Sequence, residues 1–270
     1  MRAPLLCLCT TSALLGAGPT AARAPLCAAP ADTVDVPTGS PLVSGEHMTA
    51  FTTHLTVTPV GADGAAGAPR QEGTNTITLA DSGGVRLVRV RSLSHVTTPN
   101  GPADVVTDFA FDRRTLALRD MHQTSPRGEM RLRADAGAVE VTMPTPAGAK
   151  SARLTLSGPA FYGPWSDFAV EELPRTLGTT YRLRLWQPAP GPDGPALREE
   201  THLYTFVARE DVVVFGRTHA RAWVAEDRGA DGKLLGRMWV VDGPPKLVRW
   251  TILNPDGSST RIDQEVASAP

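Results

Sequence analysis

Between Glu46 and Val266, apolar residues recur at every second position in one short segment after another, with Gly, Pro, Asn and Asp between the segments. A period of two places side chains on one face of a strand, so this pattern commits the chain to sheet. "MTAFTTHLTVTPV" (48–60) carries the Thr, Val and Phe that suit a pleated surface, "GADGAAGAPR" (61–70) reads as a loop, and "TNTITLA" (74–80) resumes the alternation. In "GVRLVRVRSLSHVTT" (84–98), Val88 and Val90 share one face, and Leu87, Arg89, Arg91 and Leu93 the other. Further strands are expected at "VVTDFAFD", "TLALRDMHQT", "GEMRLRAD" (Met130 and Leu132 inward), "AVEVTM" and "SARLTLS". Beyond residue 178 they are expected at "GTTYRLRLWQ", "THLYTFVARE", "DVVVFGRTHARAWVAED", "LLGRMWVVDG", "PKLVRWTIL" and "RIDQEV". "QPAPGPDGPALREE" (187–200) reads as an exposed loop, and Asp231-Gly232 as a hairpin turn.

One stretch departs from this rhythm. In "WSDFAVEELP", Trp165, Phe168, Ala169 and Leu173 form a stripe at helical spacing, and Pro174 ends it. Ser166 is placed to cap this helix, and Asp167 to face its positive end. Glu171 and Glu172 then fall on a solvated face. Two turns do not hold alone in water, so the helix must pack its aromatic stripe on the sheet as a lid or plug.

The N-terminus, "MRAPLLCLCTTSALLGAGPTAARAPLCAAPADT", has Arg2, an apolar run to about Gly18 and then small residues, the layout of a secretory signal peptide. The run is too short and interrupted for a good transmembrane helix. The expected organisation is therefore a signal peptide over 1–31, a Pro-, Gly- and Thr-rich lead-in over 32–41, and a single β-rich domain over 42–266. A split near 158 is the alternative. The expected location is secreted or periplasmic. Cys7, Cys9 and Cys27 all precede the expected cleavage, so the mature chain would have no disulfide, and a lipid anchor on Cys27 is the weaker alternative.

The formal net charge of -1 gives no reason to expect nucleic acid. The histidines His47, His54, His95, His122, His202 and His219 are scattered without metal-ligand spacing, and no nucleophile elbow, phosphate loop or zinc-protease pattern is present. No catalytic residue, metal or cofactor is expected. Asp227, Asp231 and Asp242 lack the spacing of a calcium loop. Arg89, Arg91, Arg131, Arg133, Arg153, Arg182 and Arg184 alternate outward on their strands, either as ordinary solvated charge or as a cationic band for an anionic surface.

In the C-terminal half, Leu173-Pro174 ends the helix, Leu177, Gly178 and Tyr181 open a strand, Val213, Gly216 and Ala220 follow, and Trp239 precedes Pro245, Leu247, Val248 and Arg249. This succession, over residues 160 to 265, resembles a broad group of uncharacterised exported bacterial β proteins similar to the LolA and LppX type. The resemblance implies a single antiparallel, strongly curved sheet, a half-barrel or open barrel around an apolar cavity, with the helix across its mouth.

The leading expectation is an exported, non-enzymatic domain that binds an apolar or amphiphilic ligand, such as a lipid or lipoprotein acyl chain. Helix stripe and strand alternation nominate Trp165, Phe168, Leu173, Tyr181, Leu183, Trp223 and Trp239 as cavity lining. Two alternatives stand beside it. A cell-envelope interaction or scaffold module would have a filled core, and a hydrolase assembled from distant residues would need a histidine and a carboxylate together in a pocket.

Overall fold

The computed structural model describes residues 33–98, 101–135, 137–145 and 148–268. The expected signal peptide, its cleavage site and all three cysteines lie outside them. The strands are β1 (Thr33–Asp35), β2 (Phe51–Val60), β3 (Gln71–Ser82), β4 (Val85–Thr98), β5 (Gly101–Asp112), β6 (Leu118–Ser125), β7 (Gly128–Asp135) and β8 (Ala138–Thr145). They continue as β9 (Gly148–Thr155), β10 (Phe161–Tyr162), β11 (Thr180–Gly191), β12 (Gly194–Val214), β13 (Arg217–Gly229), β14 (Leu234–Val240), β15 (Leu247–Leu253) and β16 (Ser259–Ser268). A 3-10 turn over Gly163–Trp165 leads into α1 (Asp167–Glu172).

All the strands belong to one sheet in the order β1-β11-β12-β13-β14-β15-β16-β2-β3-β4-β5-β6-β7-β8-β9, with β10 also on β11. The fold is therefore mainly β, with very little helix, as the alternation requires. The ladder is antiparallel from β11 round to β9, and only the short β1 and β10 pair in parallel, both on β11. Those two pieces cover the outer edge of β11, which would otherwise present free backbone donors and acceptors. No backbone ladder closes the sheet between its two ends among the described strands. Polar contacts instead bring the β9 end to the β11–β12 hairpin: Ser157 N donates to Glu199 Oε1 at 2.8 Å, and Lys150 Nζ to the Asp193 carbonyl at 3.3 Å.

The expected loop over 187–200 is instead that hairpin. Pro188 lies opposite Leu197, and Pro190 opposite Pro195. The prolines lack donors, but the pairing extends to Gly191 and Gly194 around a tight turn. This is a position where proline is tolerated because no central ladder needs its N–H.

The core lies on the inner face of the sheet and around α1. Val88, Leu132, Val139, Val141, Leu183, Tyr204 and Phe206 are buried there, as alternation places them. Ser166 does not cap α1. It is already in αR conformation because the 3-10 turn runs straight into the helix, and its hydroxyl lies 3.4 Å from the Tyr204 hydroxyl. Nor is the acidic face of α1 solvated, since Asp167 and Glu171 are both buried.

Candidate functional site

Strand register assembles the site. Thr53, Asn75, Ser92, Thr107 and Gln123 are successive lateral partners across β2, β3, β4, β5 and β6. They form one continuous row of uncharged hydrogen-bonding side chains on the inner face. The neighbouring row, two residues along each strand, is Phe51, Ile77, Val90, Phe109 and Met121. The inner face thus changes within one step from apolar to polar. Gln71 Nε2 donates to Ser94 Oγ at 2.9 Å, and Gln123 Nε2 to Thr107 Oγ1 at 3.2 Å. Asn75 Oδ1 and Thr53 Oγ1 are buried and have no hydrogen-bond partner among the described residues.

An open cavity of about 480 Å³ lies over this face. Gln71, Asn75, Ser92, Ser94, Thr107 and Gln123 form its polar wall. Tyr162, Pro164, Trp165 and Asp167 bound it from the segment that ends in α1, with Trp250 from β15. The aromatic segment is held by Phe109 and Phe111: the Trp165 ring is 5.0 Å from that of Phe109, and Phe168 is 5.6 Å from Phe111. Tyr162 packs 5.1 Å from Trp186. The helix is therefore held against the inner face by aromatic contacts, as its stripe requires.

Asp167 reaches the cavity wall with Oδ1 unpartnered. Burial raises its carboxyl to about 7, against the backbone N–H groups of Asp167 and Phe168. One turn on, burial and the neighbouring Asp167 charge push Glu171 up to about 8. The wall thus includes a carboxyl group that holds its proton near neutrality.

A second cavity of about 190 Å³ shares Pro164 and Trp250 with the first, and is lined by Glu200, His202, Tyr204 and Asp227. His202 Nδ1 is 2.8 Å from Asp227 Oδ1, and Nε2 is 3.6 Å from Glu200 Oε2. Burial opposes the imidazolium, but the Asp227 hydrogen bond and the two carboxylate charges hold His202 above its ordinary value. This is the histidine–carboxylate cluster that a hydrolase would need. Both ring nitrogens, however, face carboxylates, and no hydroxyl or thiol hydrogen-bonds to His202 among the described residues. The arrangement suits a fixed cation better than a general base, which must reach the proton it removes.

Of the lining residues nominated from sequence, Trp165 alone is on the cavity wall. Phe168, Leu173 and Leu183 are buried in the core. Tyr181 is buried as well, with its hydroxyl donating to the Pro174 carbonyl at 2.6 Å. Trp223 packs 5.9 Å from Phe206 and carries the Arg209 guanidinium 3.7 Å above its ring. Trp239 joins a small separate cluster with Val212, Val214, Ala222 and Val248. Phe168, Leu173, Tyr181 and Leu183 are thus core, whereas Trp223 and Trp239 are half-buried.

The expected arginine band is largely neutralised on the outer face. Arg91 pairs with Asp108, Arg131 with Glu129, Arg153 with Asp135 and Glu140, Arg182 with Asp35, and Arg184 with Glu199. Among the described residues no group of His, Cys, Asp and Glu could hold a metal ion, and no helix is long and apolar enough to cross a membrane.

Sequence reasoning missed the polar row. Its one visible signal was phase, since Gln71 and Asn75 alternate in step with Ile77 and must therefore point inward with it.

No family model matches the chain, and no curated protein matches it. Among solved structures, it is similar to a β-barrel-like protein of domain of unknown function DUF1849 from Brucella abortus. The two are 11% identical over 81% of this chain and 98% of that one, with a TM-score of 0.41.

Proposed function

We propose that this protein is an exported, non-enzymatic binding protein that holds an amphiphilic ligand in the cavity between the inner face of β2–β6 and the α1 plug. The architecture would then serve as a half-barrel carrier of the LolA and LppX kind. The observation that carries the reading is the cavity wall itself. Its lining combines the aromatic rings of Phe109, Tyr162, Trp165 and Trp250 with a row of amide and hydroxyl groups on β3–β6. A volume of about 480 Å³ is in the range of small-molecule sites. Export rests on the apolar N-terminal run and its small-residue flank.

The test is mass spectrometry of an organic extract from mature protein purified out of the export compartment without detergent. The comparison is Val96→Trp, which fills the cavity from β4. A stoichiometric amphiphile that the variant lacks is the expected result. A clean extract from folded protein would remove constitutive carriage and favour the scaffold reading.

A further inference from the structure

The cavity wall has a charge character that narrows the ligand. Among the described residues no Lys, Arg or His lines the cavity. Among the described residues its hydrogen-bonding side chains are Gln71, Asn75, Ser92, Ser94, Thr107, Gln123 and Gln264 together with the Tyr162 hydroxyl and the Trp165 and Trp250 indole N–H groups, all uncharged, and Asp167 is the sole carboxyl. The smaller cavity that shares Trp250 and Pro164 with this one is lined by Arg198 and His202, and both are engaged by Glu200, His202 also by Asp227. A fatty-acid carboxylate or a phosphate would enter this site without a counter-charge, and burying an unpaired charge is strongly unfavourable.

A neutral head with several hydroxyls meets the opposite situation. Amide and hydroxyl side chains both donate and accept, so a row of them can match the mixed donors and acceptors of a polyol. The row is also laterally continuous: Asn75, Ser92 and Thr107 are direct cross-strand neighbours, and such neighbours stand about 5 Å apart, the scale of hydroxyls on alternate carbons of a six-membered ring. Across from them, the indole of Trp165 and the ring of Tyr162 supply apolar faces for the C–H side of such a ring or for an attached chain.

Resting on the binding function proposed above, we infer that the ligand's recognised end is an uncharged, hydroxyl-rich group, a glycosyl or similar polyol head on an apolar chain. It is seated on the Asn75–Ser92–Thr107 row.

The test uses the mature full-length chain at pH 6.5 with four soluble probes below their micelle thresholds: octyl β-glucoside, octyl phosphate, octanoate and octyltrimethylammonium. Binding is read by calorimetry and by tryptophan emission. The expected result is affinity for the glucoside at least about tenfold above each charged probe. Asn75→Leu and the isosteric Thr107→Val should each weaken the glucoside by about tenfold, the loss of roughly one ligand hydrogen bond. Circular dichroism confirms that each variant is folded, and Thr107→Val carries the test should Asn75→Leu fail to fold. Equal binding of all four probes, unchanged in the variants, would overturn the neutral-head inference while the cavity reading survives. Tighter binding of octyl phosphate or octyltrimethylammonium would overturn it in the same way. Binding of none of them by folded protein would overturn the cavity reading, and this inference with it.

Discussion

The buried carboxylate of Glu171 accepts a 3.0 Å hydrogen bond from the backbone N–H of Leu247, tying α1 to the first residue of β15. Beside it, Lys246 pairs with Glu172, and Arg175 reaches both the Glu171 carbonyl and the Asp242 carboxylate. The plug is therefore fastened at one end by aromatic packing on β5 and at the other by polar bonds to the chain that enters β15. A helix of 6 residues has no stability of its own, so these attachments hold it.

That fastening predicts a pH dependence. Glu171 is raised from 4.5 to about 8, and Asp167 from 3.8 to about 7, chiefly by burial. A carboxyl whose folded value is raised keeps its proton better in the folded state. Its contribution is therefore whole below the unfolded value and is lost as pH rises towards the folded one. The thermal midpoint of wild type minus that of Glu171→Gln should fall between about pH 4.5 and pH 8 and then level, because Gln keeps an acceptor for Leu247 without titrating. A difference that is flat or rises across this range would contradict the assignment.

Phe168 and Trp165 should separate stability from binding. Phe168→Ala removes a buried ring from between Phe111 and Trp165 and should cost about 3 kcal/mol in denaturant unfolding. Trp165→Phe keeps an apolar ring on the cavity wall and should cost under about 1.5 kcal/mol. It should also reduce any ligand-dependent change in tryptophan emission, leaving the part reported by Trp250 on the same wall. Equal destabilisation by both would mean that the wall residue is as much core as Phe168.

The His202–Asp227 pair is a stability element in this reading. Asp227 is 2% exposed, so His202→Leu strands a buried carboxylate and should cost about 3 kcal/mol. The double variant His202→Leu with Asp227→Leu should recover part of that loss. Chemical denaturation of the four proteins measures the coupling, and additive single losses would show that the pair is not coupled.

Gly73 lies in the row beside the polar one, between Leu55 and Ser94. A β-carbon there would come 2.3 Å from the Leu93 carbonyl oxygen, which is backbone and cannot swing aside. Gly73→Ala should therefore destabilise by about 2 kcal/mol through forced separation of β3 from β4. An unchanged unfolding midpoint would show that the strands yield at this point.

Much of the strand pattern could be read directly from residue order. Alternation puts Val88 with Val90 and Val139 with Val141 on shared faces and Leu132 inward, and all five are buried, while Met130, expected inward beside Leu132, is half-buried. The helix was legible from Trp165, Phe168 and Ala169, because helical spacing and strand spacing are distinct periods. Its charged face was not legible: Asp167 and Glu171 look like solvent-facing residues until Leu247, far along the chain, supplies the partner that lets Glu171 be buried. The loop reading of 187–200 failed for a related reason. Its prolines argue locally against a strand, and the opposing strand that accepts them is not written in the segment.

What the sequence determined by itself was the local choice of strand or helix and the face on which each side chain falls, since both follow from the spacing of apolar residues along the backbone. Only the tertiary structure decided which residues of different strands stand side by side. Thr53, Asn75, Ser92, Thr107 and Gln123 become one polar row through lateral register, and Asn75 and His202 become cavity residues through the path of the sheet. Register is set by turns, bulges and the packing of whole faces against one another. Those are interactions between distant parts of the chain, and no local period encodes them.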